Sequence, residues 1–264
     1  SLSNRDVGTC ILSISDLHIP FQKPIETFSE YAGKIDILQI NGDLVDAQAI
    51  SRFNKVYRKS PMEEILIARQ YMIDLIEMLQ PKKVVVNYGN HDLRFQNYLA
   101  KNLDTDLLEL MPKTSLELIF VDGFNHYNKE LHTKVHYDPL IDVFKDSGIE
   151  IVYNDTWFSF VGETIFVHPL AYSSGMLKTA EKAYRYFKDN DYFFDTIVMA
   201  HTHKTGHYDI GNSVIYEQGC CCETSKMDYA DGKLTPSQRE GFILVYQDKF
   251  GRLNEDKTHI VRLN

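Results

Sequence analysis

The 264-residue chain is poor in cysteine, in long apolar runs and in basic charge, and each shortage closes off a class of function. Its four cysteines are Cys10, standing alone, and Cys220, Cys221 and Cys222 in a row, with no CxxC spacing. Three adjacent thiols cannot staple a secreted disulfide scaffold, and without CxxC pairs a thiolate zinc site is not expected either. A reducing, cytoplasmic compartment is the expectation. No apolar stretch approaches the roughly 18 residues of a membrane span, and the N-terminus shows no basic region followed by an apolar one. A net charge of −9 argues against wholesale wrapping of nucleic acid on a basic surface. Repeats, low-complexity tracts and long linkers are missing too. With 44% hydrophobic residues to fill a core, one domain over residues 1–264 is expected.

What the chain does hold is five short donor-rich segments, each after a run that reads as a buried strand. Residues 9–14 precede Asp16-Leu17-His18, residues 35–40 precede Gly42-Asp43, and residues 83–88 precede Gly89-Asn90-His91-Asp92. Residues 164–167 lead into His168, and residues 196–200 into His201-Thr202-His203. Sites in open α/β sheets form at the carboxyl ends of strands, so five strand ends are expected to converge. Asp and Asn oxygens mixed with imidazole nitrogens suit Mn, Fe, Zn or Ni, whereas an all-carboxylate set suits Mg or Ca. Taken singly, each segment has a plainer explanation. A lone His after a strand is more often structural than a ligand, and the two rings of an HxH pair in a strand point to opposite faces. Gly-Asp and Gly-Asn pairs are turn formers, which is also how a strand end presents a ligand.

In their order, DxH, GDxxD, GNHD, a lone His and HxH, the segments resemble the calcineurin-like metallophosphoesterases over nearly the whole chain. Ala200 stands where many members carry Gly, and the stretch between Asp92 and His168 is longer than usual. Ser51-Arg52-Phe53, Arg94, and Gly219-Cys220 through Gly241-Phe242 look like the phage-associated branch. The resemblance implies a four-layer α/β/β/α sandwich with two mixed β-sheets. It also implies two divalent transition-metal ions, one on Asp16, His18 and His203, the other on Asn90, His168 and His201, with Asp43 bridging. His91 would stand beside them as the general acid, oriented by Asp46.

The chemistry supports that reading. A phosphate ester repels hydroxide through its own charge; two divalent ions about 3.5–4 Å apart neutralise that charge and acidify a shared water. Asp16 and Asp43 return only two of the four positive charges, so the site would stay positive inside an acidic protein. An imidazole with an ordinary pKa near 6.5 suits protonation of the leaving oxygen, and contact with Asp46 would favour its charged form. The expected function is hydrolysis of phosphomonoesters or phosphodiesters by attack of a metal-bound hydroxide, with manganese the first candidate metal and nucleotides or nucleic acid among the substrates. The alternative is a non-catalytic metal-binding scaffold of the same fold, although scaffolds commonly lose ligands and none is missing here.

Secondary candidates complete the reading. Arg94 is a candidate for orienting phosphate or for pairing with a carboxylate on its helix, and His207 is a candidate substrate contact near the HxH pair. Residues 52–59 alternate cations with aromatics, a pattern that suits a phosphate backbone with stacked bases, although an exposed loop with ordinary solubilising charges is the more frequent explanation of such a stretch. Residues 122–138 read as a solvated loop and residues 223–240 as a polar surface segment, and both are candidates to border the site. Helices are expected from Pro61 to just before Pro81 and over residues 175–188.

Overall fold

Continuous β-branched runs need cover on both faces, and the structure supplies it. The computed structural model describes residues 8–47, 60–102, 104–108, 114–170, 178–226 and 238–264. The strands are β1 (Thr9–Ile14), β2 (Ile37–Asn41), β3 (Lys83–Asn87), β4 (Phe124–Asn128), β5 (Thr133–Tyr137), β6 (Glu150–Asn154) and β7 (Phe158–Val161). They continue as β8 (Thr164–Val167), β9 (Thr196–Met199), β10 (Thr205–Ile210), β11 (Ser213–Gln218), β12 (Gly241–Gln247) and β13 (His259–Arg262). A first sheet has the order β13-β12-β1-β2-β3-β6, with β1, β2, β3 and β6 parallel and β12 reversed. A second has the order β10-β11-β9-β8-β7, with β8, β9 and β11 parallel between reversed edges.

Period-two alternation assigns the faces. Leu12, Ile14, Leu38, Ile40, Val84 and Val86 point outward from the first sheet to helix α1 (Pro61–Leu79), whose Ile65, Ala68, Met72, Leu75, Ile76 and Leu79 are buried against them. Ile165, Val167, Ile197 and Met199 point outward from the second sheet to Ala180, Ala183 and Phe187 of the Lys178–Asp189 helix. Between the sheets lie Ile11, Phe166, Val198, Tyr216, Ile243 and Val245. Three cores therefore separate four layers, the α/β/β/α sandwich with two mixed sheets. Helix α1 begins as its sequence requires: Ser60 and Glu63 form a reciprocal capping box and Pro61 occupies the first turn. The second long helix starts in the description at Lys178, because residues 171–177 lie outside it.

The inter-sheet core is not purely apolar. Gln39, Asn41 and Asn87 face the second sheet from β2 and β3, all fully buried. Asn41 Nδ2 donates to Val198 O at 3.2 Å and to Gln218 Oε1 at 2.9 Å, and Asn87 Nδ2 donates to Asn41 Oδ1 at 3.1 Å. Gln39 Nε2 and the Ser159 hydroxyl both donate to Asn87 Oδ1, and Ser13 Oγ donates to Gln218 Oε1. This amide seam runs beneath the end of the sandwich where the donor segments emerge.

Two sequence expectations change. Residues 124–137 form a β4–β5 hairpin and not a loop. Phe124 and Tyr137 stack at 5.2 Å on one face, Asn125 and His136 pair on the exposed face, and Asn128 Oδ1 accepts the Glu130 and Leu131 amides to make the turn. Its second strand is tied to Arg69 of α1, which lies over the Tyr137 ring and donates to Asp138 O. Of residues 223–240, Thr224–Lys226 is a short 3-10 turn and Glu240 pairs with Lys23 at 2.7 Å, while 227–237 lie outside the described residues. No helix among the described residues is long and apolar enough to cross a membrane.

Candidate metal centre

The loops after β1, β2, β3, β8 and β9 come together at one end of the sandwich. Asp16 N–H donates to Gly42 O and His18 N–H to Asp43 O, so the first two loops run side by side. The backbone is forced to turn within a residue or two of each strand end. Asp16, His18, Asp43, His201 and His203 all take positive φ, between 45° and 78°. Such a conformation costs of order 1–3 kcal/mol for a residue other than glycine, and it persists only where surroundings over-determine it. It also breaks the strand alternation at His201 and His203, which lets both rings turn inward.

The side chains then gather by atom. Ser15 Oγ and the His201 amide donate to Asp16 Oδ2, leaving Oδ1 at 3.1 Å from His203 Nε2 and 3.5 Å from His18 Nε2. The two imidazole nitrogens are 3.3 Å apart. On the other side Asn90 Oδ1 lies 3.2 Å from His168 Nε2 and 3.1 Å from His201 Nδ1. Asp43 Oδ1 accepts the His91 amide, while its Oδ2 faces His168 Nε2 at 3.1 Å and His18 Nε2 at 3.7 Å. Asp16, His18 and His203 form one group able to hold a cation, Asp43, His168 and His201 another, and His18, Asp43 and His91 an overlapping third, with ligand atoms within 4.8 Å of one another in each.

Outer hydrogen bonds fix which nitrogen each ring offers. His168 Nδ1–H donates to Asn41 O at 2.8 Å, and His18 Nδ1 meets Asp46 Oδ1 at 3.1 Å. In both rings Nε2 is left facing the carboxylates. Lone pairs converging at about 3 Å repel unless a proton or a cation lies between them, so the donor set fits divalent metal ions of the borderline class.

Electrostatics of the metal-free protein match that need. Burial pushes the Asp16 carboxyl up, yet His168, His203 and a bond from His18 hold it well below the usual carboxylate range. Asp43 and Asp46 are likewise lowered by their imidazole neighbours against the cost of burial. Burial opposes charge on His18, but Asp16, Asp46 and Asp43 raise it to about 10; His168 is raised to about 9 by Asp43 and Asp16 against the same cost. Protons thus occupy the positions that a metal would take. Ligation needs neutral imidazole, so metal uptake is expected to release protons, with apparent affinity rising from pH 6 to about 9. Titration calorimetry in buffers of different ionisation heat measures the release; heats independent of the buffer would contradict it. The sign for stability follows: both imidazoles are raised above their unfolded value of about 6.5, so their contribution to the metal-free fold is complete below that pH. It is lost as pH rises through about 9 to 10.

Two glycines and one carboxylate complete the frame. A Cβ at Gly42, already at φ 80°, would meet the His168 ring at 2.5 Å, and one at Gly89 would run into Asp43 Oδ1. Asp92, buried and given no role by sequence reasoning, accepts the amides of Asp43 (2.8 Å), Gly89 (2.8 Å) and Val45 (3.2 Å), clamping the GDxxD loop to the GNHD loop. Burial and the Asp43 charge raise its carboxyl to about 7. Gly89→Ala is expected to displace the Asp43 carboxylate and cut metal affinity at least tenfold while the chain remains folded; metal titration with circular dichroism checks both.

A sequence profile of the calcineurin-like phosphoesterases matches residues 11–205, which contain all five donor segments. The chain belongs to that family. Among solved structures, an archaeal phosphodiesterase is 14% identical and superposes with a TM-score of 0.44, covering 96% of this chain and 99% of its own. Vacuolar protein sorting 29 from Cryptosporidium parvum is 16% identical over 97% and 96% of the two chains, with a TM-score of 0.44. A metallophosphoesterase from Sphaerobacter thermophilus is 13% identical over 97% and 88%, again with a TM-score of 0.44. No curated protein matches the chain.

Within this calcineurin-like phosphoesterase, the remaining expected residues are placed as follows. His91 Nδ1 lies 3.0 Å from Asp46 O and 3.4 Å from Asp46 Oδ1, while Arg94 donates to His91 Nε2 at 3.2 Å and to Asp46 O at 3.1 Å. A guanidinium can only donate, so Nε2 carries the lone pair and the proton sits on Nδ1. Contact with Asp46 was expected to favour charged His91. Burial, with His18 and Arg94 nearby, lowers its pKa instead. Asp46 also holds His18, which the sequence did not suggest, and Arg94 opens helix α2 (Arg94–Asn102) pointing at His91 and Asp46. His207 is exposed on β10 with its ring 5.9 Å from Tyr216; among the described residues it makes no hydrogen bond or ring contact with the donor set. The Cys220 thiol donates to Arg239 O at 3.4 Å and is among the neighbours that raise the His203 pKa, so the buried cysteine row borders the centre as well as packing beneath it. Residues 51–59, with Ser51-Arg52-Phe53 and the basic stretch, lie outside the described residues.

Proposed function

We propose that this chain hydrolyses phosphomonoesters or phosphodiesters with two divalent transition-metal ions, manganese first among them. Asp16, His18 and His203 would hold one ion and Asn90, His168 and His201 the other. The observation that carries this reading is the Asp43 carboxylate, whose Oδ2 faces a ring nitrogen of each group, at 3.7 Å from His18 and 3.1 Å from His168. Ions bound there offset phosphoryl charge and acidify a water for attack.

The side chains do the rest. Asp46 and Asn41 O fix the His18 and His168 tautomers, and Asp92 fixes the spacing of the two motif loops. His91 is assigned the leaving-group proton, with Arg94, at hydrogen-bond distance from its ring, supplying fixed positive charge beside it. Among phosphate esters, nucleotides or nucleic acid are favoured by the sequence likeness to the phage-associated branch. The absence of any disulfide among the four cysteines fits a cytoplasmic setting.

Metal analysis of the purified chain, followed by manganese-supplemented assays with p-nitrophenyl phosphate and bis(p-nitrophenyl) phosphate, tests the proposal. Two ions per chain with turnover of either ester supports it, and preference for the diester points to a nuclease-like role. Two tightly bound ions without turnover of any ester would instead establish the scaffold.

A further inference from the structure

Glu217 on β11 is a buried carboxylate that the proposed hydrolysis does not use. Val214 and Tyr216 point into the inter-sheet core and Ile215 points outward, so strand alternation turns Glu217 outward as well, away from the amide seam. It lies between Met199 of β9 and Gly206 of β10, and the glycine offers it no side chain. On that face the Thr202 hydroxyl donates to Glu217 Oε1 at 2.8 Å.

Thr202 is the middle residue of the HxH segment, and that segment is divided between the two donor groups. His203 Nε2 faces Asp16 Oδ1 at 3.1 Å, whereas His201 Nδ1 faces Asn90 Oδ1 at 3.1 Å. A shift of this one loop would be felt on both sides of Asp43. The loop is also strained, since His201 and His203 hold φ at 78° and 52°, and such backbone persists only where it is pinned from several directions. Three pins engage the main chain: Ala200 N–H donates to Val167 O, His201 N–H to Asp16 Oδ2, and Arg239 N–H to His203 O. They hold the residues on either side of Thr202. The bond to Glu217 is the pin at the centre, and it draws the Thr202 side chain toward the outer face while both imidazoles turn inward.

We infer that Glu217 is a positioning residue for the metal centre: through the Thr202 hydroxyl it sets the HxH loop so that His201 and His203 reach their separate ion positions together. The inference rests on the two-ion reading of the site. Taking a carboxylate out of water is unfavourable unless it is hydrogen-bonded, and an apolar residue at 217 would suit a face shared with Ile215 and Met199 better. What Glu217 adds there is an acceptor at a fixed place, and the donor that uses it is the residue between two proposed ligands. Its contribution is therefore to the loop more than to the core.

The test is the stepwise manganese affinity of the full chain, measured by competition with a fluorescent chelator. Thr202→Val and Glu217→Ala should each weaken both ions about tenfold, the lower end of what loss of an outer partner costs, while the metal-free unfolding temperature stays at the wild-type value. Thr202→Ser keeps the donor and Glu217→Gln keeps an acceptor, so both should restore affinity. The double variant Thr202→Val/Glu217→Ala should bind no worse than either single one, because both changes remove the same bond. Thr202 is partly exposed and valine has its shape, so Thr202→Val reads the bond even where Glu217→Ala does not fold. Undiminished affinity in Thr202→Val, a loss confined to one ion, or additive losses in the double variant would overturn the inference and leave the metal centre standing. So would a loss in Glu217→Gln equal to that in Glu217→Ala, or losses that only track a lowered unfolding temperature. Wild-type protein that takes up no manganese would overturn the two-ion reading and the inference with it.

Discussion

Asp43→Asn is expected to reduce bound manganese from two ions per chain to at most one and to lower kcat/KM by about 10³-fold or more. Asn is among the few residues that tolerate the left-handed backbone of position 43, at φ 53°, and it keeps an oxygen for the His91 amide. The substitution therefore removes charge with little change of shape. That charge is what faces both His18 and His168 and raises both imidazoles. A neutral amide oxygen cannot serve two cations at once, and losing several kcal/mol of charge stabilisation in the transition state accounts for the rate. Metal content by mass spectrometry, with circular dichroism of the metal-free variant as the folding check, reads the first part independently of activity. Two tightly held ions in the variant would remove Asp43 as the shared ligand.

His91→Ala is expected to keep metal content near wild type and to lower kcat by about 10²–10⁴-fold, the usual contribution of a positioned proton donor. Its ring is tied to Asp46 and Arg94, while the paired donors already gather around Asp16, Asp43 and Asn90 without it. The pH profile separates this role from a structural one. Burial lowers the His91 pKa, so the protonated form thins as pH rises, and wild-type kcat should carry an alkaline limb that the variant lacks. Unchanged kcat, or loss of metal in proportion to loss of rate, would remove the proton-donor assignment. Esters with a good leaving group such as p-nitrophenolate should suffer less than alkyl esters, because they need less protonation.

The strands and the donor segments were legible because buried parallel strands leave unbroken apolar runs, and the donor side chains sit where those runs stop. Helix α1 was legible for the same kind of reason, with Pro61 and Pro81 bracketing a 3.6-residue pattern. Contacts between distant polar residues were not. Asp92 looks in sequence like the tail of a motif, and only folding brings the Asp43 and Val45 amides to it. Gln39, Asn41 and Asn87 interrupt otherwise apolar strands and read as noise until Gln218 and Ser159 face them across the sheets. The β4–β5 hairpin was obscured by its histidines, lysine and tyrosines, whose alternation is real but weakly apolar. Burial decided the direction of the His91 shift, and burial of one ring is not readable from its neighbours in sequence.

The amide seam has a bearing on assembly. Asp16, His18, Asp43 and Asn90 emerge from the first sheet, His168, His201 and His203 from the second, and Asn41 grips both halves by its side chain while its carbonyl orients His168. Interlocking amides have discrete partners and admit no partial slide, so the two halves dock in one alignment or not at all. Neither half owns a full complement of the proposed ligands. Competence to capture metal should accordingly switch on late in folding, after helix content has recovered, since a nascent chain still short of β9 lacks His201 and His203, one proposed ligand of each set.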